Sequence, residues 1–390
     1  MKPTMILAPA MLGMLGGGQL GRFFVIAAHE MGYQVTVLDP DKNSPAGKIA
    51  DVHLCANYDD ADALKQMAQT CAAVTTEFEN VPAKTLETLA ESVVVRPSAA
   101  SVAIAQNRVL EKNFIKNAGL PVAPFAVINS THDLPEDASS LYPAILKVAR
   151  FGYDGKGQAR VKNQAEALSA FTDFKHEVCV LEQMLPLDLE VSVVLARDAD
   201  GNVEAFSTAE NSHLNGILDI SIVPARCSEV LKANAREIAK KLAEKLDYIG
   251  VLGVEFFVVG HQILVNEIAP RPHNSGHYSI DACVTNQFEQ QVRVMTGLPL
   301  GDASLHSNAV MVNILGDSWF AGAKKDAQND VSAPAWNKAL SHANLKLHLY
   351  GKHEPRKGRK MGHFTVIGQD KQAVLNAALI ARSELHVGES

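Results

Sequence analysis

No two cysteines in this 390-residue chain stand in a CxxC spacing, and no apolar run is long enough to cross a membrane. The five cysteines, Cys55, Cys71, Cys179, Cys227 and Cys283, are scattered and odd in number. That argues against a disulfide framework or a zinc ribbon and fits the reduced thiols of a cytoplasmic protein. The apolar start, residues 1–18, is interrupted by Pro3 and Pro9 and ends in glycines, so it has neither the length of a span nor the cleavage pattern of a signal peptide. Positive charge is not in excess: the net charge is −7 and the pI near 6.1. Broad electrostatic binding to nucleic acid or to an anionic membrane is therefore not expected. Internal repeats, low-complexity tracts and the G-x-x-x-x-G-K-[ST] phosphate loop are also missing.

Hydrophobic residues make up 47% of the chain and charged residues 20%, ordinary values for soluble globular domains, and the length suits two or three of them. Met11–Leu15 reads as a strand that runs through Gly16-Gly17-Gly18-Gln19-Leu20-Gly21 into a helix over 23–31, followed by a strand at 34–38 that ends at Asp39. The glycines fit G-x-G-x-x-G, whose turn can offer backbone N–H groups to a phosphate. Alone the pattern is weak, because tight βα packing also produces it. Further strands are expected near 52–55, 73–75 and 93–95, which makes the first hundred residues a βαβ domain. Glu77-Phe78-Glu79-Asn80 follows the second of these, at the carboxyl end of a strand, where either a ligand site or a polar loop capping the next helix is expected.

A helix is expected over 101–118, carrying Arg108 and stopped by Gly119 and Pro121. A strand at 144–148 carries Lys147 and leads into Gly152-Tyr153-Asp154-Gly155-Lys156-Gly157-Gln158, a glycine-rich cover able to lay N–H groups on a polyphosphate. A strand at 178–181 runs into Glu182-Gln183-Met184-Leu185, another at 189–195 carries Glu190, and His213 lies in a polar run. Residues 228–246 have the stripe of an amphipathic helix. Beyond residue 300 short strands are expected at 309–314, 346–349 and 364–367. Between the last two, residues 352–360 hold five basic side chains, including Lys352, Arg359 and Lys360.

The stretch 255–281 is the most informative. Two apolar runs flank Gly260-His261-Gln262 as a β-hairpin, with Glu255 opening the first and Asn266-Glu267 closing the second. A three-residue loop would set Glu255 opposite Glu267; a two-residue loop would set it opposite Asn266. Directly opposed carboxylates lie ~5 Å apart and repel unless a cation or a shared proton intervenes. Hard oxygen ligands of this kind suit Mg²⁺ beside a phosphate-bearing substrate. A stiff loop rich in anion-binding donors follows directly, with Arg271, His273 and Asn274.

MLGGGQLGR, TEFENV, GYDGKGQ and NEIAPRPHNSGHY stand here in an order that resembles the ATP-grasp enzymes, and within them the 5-(carboxyamino)imidazole ribonucleotide synthetases of purine biosynthesis. The resemblance covers nearly the whole chain. It implies an α/β and α+β fold: an N-terminal βαβ (Rossmann-like) domain over 1–105, an ATP-grasp domain over 106–300 with a mobile subdomain about 120–185, and a small β-rich domain over 301–390. It implies a ligase that joins bicarbonate to 5-aminoimidazole ribonucleotide through carboxyphosphate, with ATP and Mg²⁺, or Mn²⁺ in its place. No biotin-carrying lysine context is present, so biotin is not expected. A cytoplasmic homodimer acting on small molecules is implied.

By that resemblance, ATP would meet Arg108, Lys147, Gly152–Gln158, Glu182, Gln183, Met184, Leu185, Glu190, His213, Asn266 and Glu267, with Glu255 and Glu267 holding the metal. The ribonucleotide would meet Gly18, Gln19, Leu20, Glu77, Tyr153, Asp154, Lys156, Arg271, Lys352, Arg359 and Lys360. Arg271, His273, Asn274, Asp154 and Lys156 would carry the chemistry. The rival reading, a nicotinamide-dependent oxidoreductase built on Gly16–Gly21, leaves the paired carboxylates without a role.

Overall fold

A computed structural model describes residues 5–78, 80–138, 140–150, 157–320 and 332–388. The first unit is a parallel sheet in the order β3-β2-β1-β4-β5, from β1 (Met11–Leu15), β2 (Gln34–Leu38), β3 (Val52–Leu54), β4 (Ala73–Thr76) and β5 (Val94–Val95). Helices α1 (Gln19–Glu30), α2 (Ala61–Thr70) and α3 (Ala83–Ala90) cover it. Strands this short and this apolar must be buried on both faces, which is what crossover helices provide.

Where one helix was expected over 101–118 there are two, α4 (Ala99–Ala105) and α5 (Arg108–Asn117). The Asn107 side chain accepts hydrogen bonds from the N–H groups of Val109 and Leu110, so it caps a new helix rather than continuing the old one. Arg108 is thereby the first residue of α5.

A small antiparallel sheet, order β6-β9-β7-β8, follows: β6 (Phe125–Ile128), β7 (Ala144–Val148), β8 (Gln158–Val161) and β9 (Cys179–Gln183), with α6 (Gln164–Asp173) against it. The largest sheet has nine strands. Its path is β15-β14-β10-β12-β13-β16-β18-β17, and β11 (Val203–Ala205) pairs with β10. The strands are β10 (Leu189–Arg197), β12 (Ala209–Leu214), β13 (Ile217–Val223), β14 (Gly250–Val259), β15 (Gln262–Ala269), β16 (Asn308–Leu315), β17 (Leu345–Leu349) and β18 (Lys360–Gly368). Helices α7 (Glu229–Lys245), α8 (Ser279–Ala282), α9 (Gln287–Thr296), α10 (Trp336–Ala339) and α11 (Lys371–Glu384) pack around it. The strands beyond residue 300 thus extend the central sheet instead of forming one of their own. His213 lies on a strand, β12, and Lys360 opens β18 rather than closing the basic loop. Among the described residues no helix is long and apolar enough to cross a membrane.

Two features position the site. Along β14 the side chains of Val254, Phe256 and Val258 enter the core with Ala235, Ala239 and Leu242 of α7, so strand alternation turns Glu255 to the other face. The neighbouring β15 is the edge of the sheet, yet it is covered: Val265 N–H donates to Pro121 O at 2.8 Å, and α5 lies alongside.

Phe256 is 1% exposed in this core and Val230 is 68% exposed on α7. Phe256→Ala should destabilise the chain by about 3–5 kcal/mol, and Val230→Ala by less than about 0.5 kcal/mol. Thermal melts of the two variants check this; similar shifts for both would contradict the core assignment.

Candidate active site

Only Gly260-His261 connects β14 to β15, with Val259 opposite Gln262 and Phe256 opposite Val265. The loop therefore has two residues, not the three that an evenly paired Glu255 and Glu267 would require. Continued evenly, the ladder would put Glu255 against Asn266. A β-bulge intervenes, and Glu255 faces Glu267 with Asn266 as the extra residue. The expected pairing is present, produced by a bulge rather than by loop length. It brings two carboxylates and a carboxamide to one step of the hairpin, and hard oxygen donors of this type fit Mg²⁺.

Each of the two carboxylates has cationic or imidazole neighbours. Burial alone would raise the Glu255 pKa, but the His273 ring at 3.1 Å, then His213 and Lys360, outweigh it and hold the pKa down at about 2. Glu267 pairs with Arg108 at 3.1 Å, and that carboxylate raises the Arg108 pKa. Across β10 and β12, His213 Nδ1 lies 3.0 Å from Glu190. Burial pushes His213 down, but Glu190 and Glu255 overcome it, and the ring's pKa stands above its ordinary value.

Behind Arg108 lies a buried chain of charge. Lys112 of α5 sits 2.7 Å from Glu182, and Glu182 sits 3.2 Å from Lys147. Burial lowers the Lys147 pKa and Glu182 opposes that; the two lysines in turn hold Glu182 down at about 2. The Glu182 carboxylate, expected among the residues that meet ATP, is the partner of both lysines. Gln183 donates through Nε2 to Ser140 O at 2.8 Å, and Met184 is exposed, with Leu185 half-buried beyond it. Next to Arg108, Glu111 is pushed up to about 8 by burial and then by the Glu267 charge.

The glycine turn carries a second difference. Its N–H groups, expected to seat part of the ribonucleotide, are held by carboxylates of the chain itself: Gly17 donates to Asp39 at 2.7 Å, Gly18 to Glu77, and Gly21 to Glu77 at 2.7 Å. The start of α1 has no capping side chain of its own, and Glu77 occupies the position an anion would take. A Cβ on Gly16, where φ is +106°, would lie 2.3 Å from Glu77 Cγ, so only glycine fits there. Above the turn is a cavity of about 200 Å³ lined by Gly18, Asp39, Tyr58, Glu77, Lys352 and Arg359, among others. Lys352 donates to Gln19 Oε1 at 2.5 Å and to Lys360 O at 2.7 Å. Gly18, Gln19, Glu77, Lys352 and Arg359 are thus gathered in one place, Lys360 joins them only through its backbone oxygen while its charge acts on Glu255 and His213, and Leu20 is buried on the core side of α1. Asp39 and Tyr58, hydrogen-bonded at 2.8 Å, were not foreseen as lining. For Tyr58 the sequence carried no signal.

The loop after β15 is fixed by Gln287 of α9, which accepts from His273 N–H and donates to His273 O, both at 2.9 Å. His273 Nδ1 lies 2.8 Å from Ser275 Oγ, which leaves Nε2 for Glu255. The Arg271 guanidinium donates to Pro272 O at 3.1 Å. Asn274 is 7% exposed, and both polar atoms of its amide are buried without a hydrogen-bond partner among the described residues. A buried amide with neither end satisfied is expected where a ligand supplies the partners. Beneath the basic loop, His348 and His363 are cross-strand partners on β17 and β18, and Asp281 lies 2.9 Å from His348. One potential ligand atom from each of these three lies within 4.8 Å of the others, though the Asp281–His348 ion pair already accounts for two. Gly152, Tyr153, Asp154, Gly155 and Lys156 lie outside the described residues. Gly157 and Gln158 lie within them: Gly157 O accepts from Val148 N–H at 2.9 Å, and Gln158 is paired with Lys147 across β7 and β8.

Family models place this architecture. One described as a ribonucleotide synthetase preATP-grasp domain matches residues 10–106, and the ATP-grasp domain matches 113–288. The phosphoribosylaminoimidazole carboxylase C-terminal domain matches 309–377. The three-part fold is thus that of the ATP-grasp ligases. An N5-carboxyaminoimidazole ribonucleotide synthase of Bacillus subtilis (strain 168) is 42% identical over 371 residues, covering 95% of this chain and 94% of that one. Among solved structures, the ADP complex of an N5-carboxyaminoimidazole ribonucleotide synthetase superposes with a TM-score of 0.90 at 40% identity, covering 98% of each chain. The Aspergillus clavatus synthase in complex with ADP and 5-aminoimidazole ribonucleotide superposes at 0.87 and 32% identity, covering 97% of this chain and 99% of that one. The chain belongs to the N5-carboxyaminoimidazole ribonucleotide synthase family.

Glu182→Gln should destabilise the protein by about 3–5 kcal/mol, because it leaves two lysines facing each other in the interior. The Glu182 pKa is depressed, so its contribution is present above about 4.5, the ordinary value, and is lost as pH falls toward about 2. The stability difference between wild type and variant, followed by thermal melts, should shrink across that window. A difference independent of pH would contradict the ion-pair assignment.

Proposed function

We propose that the chain uses ATP and bicarbonate to carboxylate the exocyclic amine of 5-aminoimidazole ribonucleotide, the reaction for which its family is named. Bicarbonate is a poor electrophile. Attack of its oxygen on the γ-phosphate breaks the β–γ phosphate bond, releases ADP and gives carboxyphosphate, in which phosphate is now a leaving group. Carboxyphosphate breaks down to CO₂ and inorganic phosphate, and the amine nitrogen attacks the CO₂ and gives up one N–H proton to form the carbamate. One observation carries this reading: the Glu255–His273 contact ties the oxygen-donor step of the hairpin to the loop bearing the unpartnered Asn274 amide.

In this reading Arg108 and Lys147 bind the phosphates of ATP, and Lys112 and Glu182 hold Lys147 in place. Glu190 and His213 take the nucleotide's ribose side. Glu255 and Glu267, with Asn266 assisting, would hold Mg²⁺, which when bound neutralises charge on the transferred phosphoryl group. His273, Asn274 and Arg271 serve the bicarbonate and amine end. Lys352, Arg359 and Lys360 clamp the ribonucleotide phosphate, with Gly18, Gln19 and Glu77 across the cavity. The loop 152–158 is the cover that keeps water from carboxyphosphate. Mn²⁺ can replace Mg²⁺, biotin takes no part, and the enzyme works as a cytoplasmic homodimer on small molecules.

The direct test is ADP formation from ATP, Mg²⁺ and bicarbonate, with and without aminoimidazole ribonucleotide. Full turnover should need all of them; equal rates with formate in place of bicarbonate would reject the reading. Glu267→Ala should cut turnover on the order of 100-fold or more while the protein stays folded. Arg359→Ala removes a charged contact of about 1.5–3 kcal/mol, so the KM for the ribonucleotide should rise roughly 10- to 100-fold. An equal rise in the KM for ATP would count against the clamp.

A further inference from the structure

The bulge at Asn266 needs something to hold it. The extra residue of a bulge is left out of the ladder, and here it lies on the edge strand: an isolated bridge pairs Val265 with Val122, but among the described residues no strand lies outside β15 to take the outward backbone groups of Asn266. Buried and unpaired, each such group is costly, so the bulge would tend to slip back to even pairing. Even pairing would set Glu255 against Asn266 and turn Glu267 to the other face.

The structure supplies the missing partners from one face of α5. Residues 108, 111 and 112 are neighbours at i, i+3 and i+4. Arg108 meets the Glu267 carboxylate at 3.1 Å. Lys112 Nζ donates to Asn266 O at 2.9 Å, and Glu111 Oε1 accepts from Ile268 N–H at 2.6 Å. The backbone groups flanking Glu267 on both sides are thus taken by two ionisable side chains, each only 1% exposed. Burial that complete keeps both from meeting a substrate directly, and ionisable groups are seldom buried without a partner that needs them.

We propose that Glu111 and Lys112 are positioning residues, which fix the backbone on either side of Glu267 and so keep Glu255, Asn266 and Glu267 together as one oxygen-donor set. Lys112 also pairs with Glu182, which pairs with Lys147. The same helix face therefore sets the distance between the donor set on the large sheet and the lysine on the small one. This inference rests on the assignment of Glu255 and Glu267 as the divalent-metal carboxylates.

The experiment measures Mn²⁺ binding in the presence of ADP by electron paramagnetic resonance, with folding checked by circular dichroism. Glu111→Gln keeps an oxygen to accept from Ile268 and should bind Mn²⁺ within about twofold to threefold of wild type, whereas Glu111→Leu should bind roughly tenfold or more weakly. Glu111→Asp, one methylene too short to reach, should resemble the leucine variant and decides the matter if that variant does not fold. Lys112→Met should also weaken binding, and Lys112→Arg should restore much of it. Wild-type affinity in Glu111→Asp, or a loss in Glu111→Gln as large as in Glu111→Asp, overturns the proposal. Glu267→Ala is the control: if it binds Mn²⁺ like wild type, the metal assignment itself fails. If only Glu267→Ala loses affinity, the metal assignment stands and the positioning role does not.

Discussion

One extra residue in an edge strand, Asn266, brings Glu255 opposite Glu267. Without the bulge, the two-residue turn at Gly260-His261 would force an even ladder and separate the two glutamates. With it, two carboxylates and a carboxamide meet at one step, and the rest of the site is arranged around that point. His273 and His213 face the Glu255 side, Arg108 the Glu267 side, and the next residues of the chain turn directly into the loop bearing Asn274. A hairpin arranged in this way places the oxygen-donor step and the unpartnered Asn274 amide a few residues apart.

Charge elsewhere follows the same economy of partners. Glu182 is buried between Lys112 and Lys147, so Lys147 keeps a counter-ion in a place where burial alone would favour its neutral form. On the opposite side, Glu77 fills the N-terminus of α1, which in many α/β proteins receives a phosphate. With that position filled by a carboxylate, the basic side chains that line the cavity are Lys352 and Arg359, which reach it from the far end of the large sheet. That is also why the glycine pattern, read alone, suggests a dinucleotide site that these contacts do not support.

Much of this was legible in the sequence, and the limits have physical causes. Strand and helix positions followed from apolar periodicity, and the motifs in order pointed to residues that the fold does bring together: Arg108 with Glu267, Glu190 with His213, Glu255 with His273, and Glu77 with Lys352 and Arg359. The bulge was not legible, because both registers bury the same apolar residues near the turn and the choice depends on groups from α5. The break at Asn107 was hidden because the apolar pattern continues across it. Glu111 and Lys112 look like ordinary helix charges until β15 is laid beside them. The Glu77 contact with Gly18 and Gly21 spans more than fifty residues, beyond any local signal.

The account stands on the bulge as the metal-binding step, and the most direct measurement is anomalous diffraction from crystals grown with Mn²⁺ and ADP. A single strong peak should lie between Glu255 and Glu267, within about 2.0–2.2 Å of an oxygen of each, distances usual for a small hard cation of this kind. A peak at Asp281, His348 and His363 with none at the hairpin, or an even ladder placing Asn266 against Glu255, would contradict it.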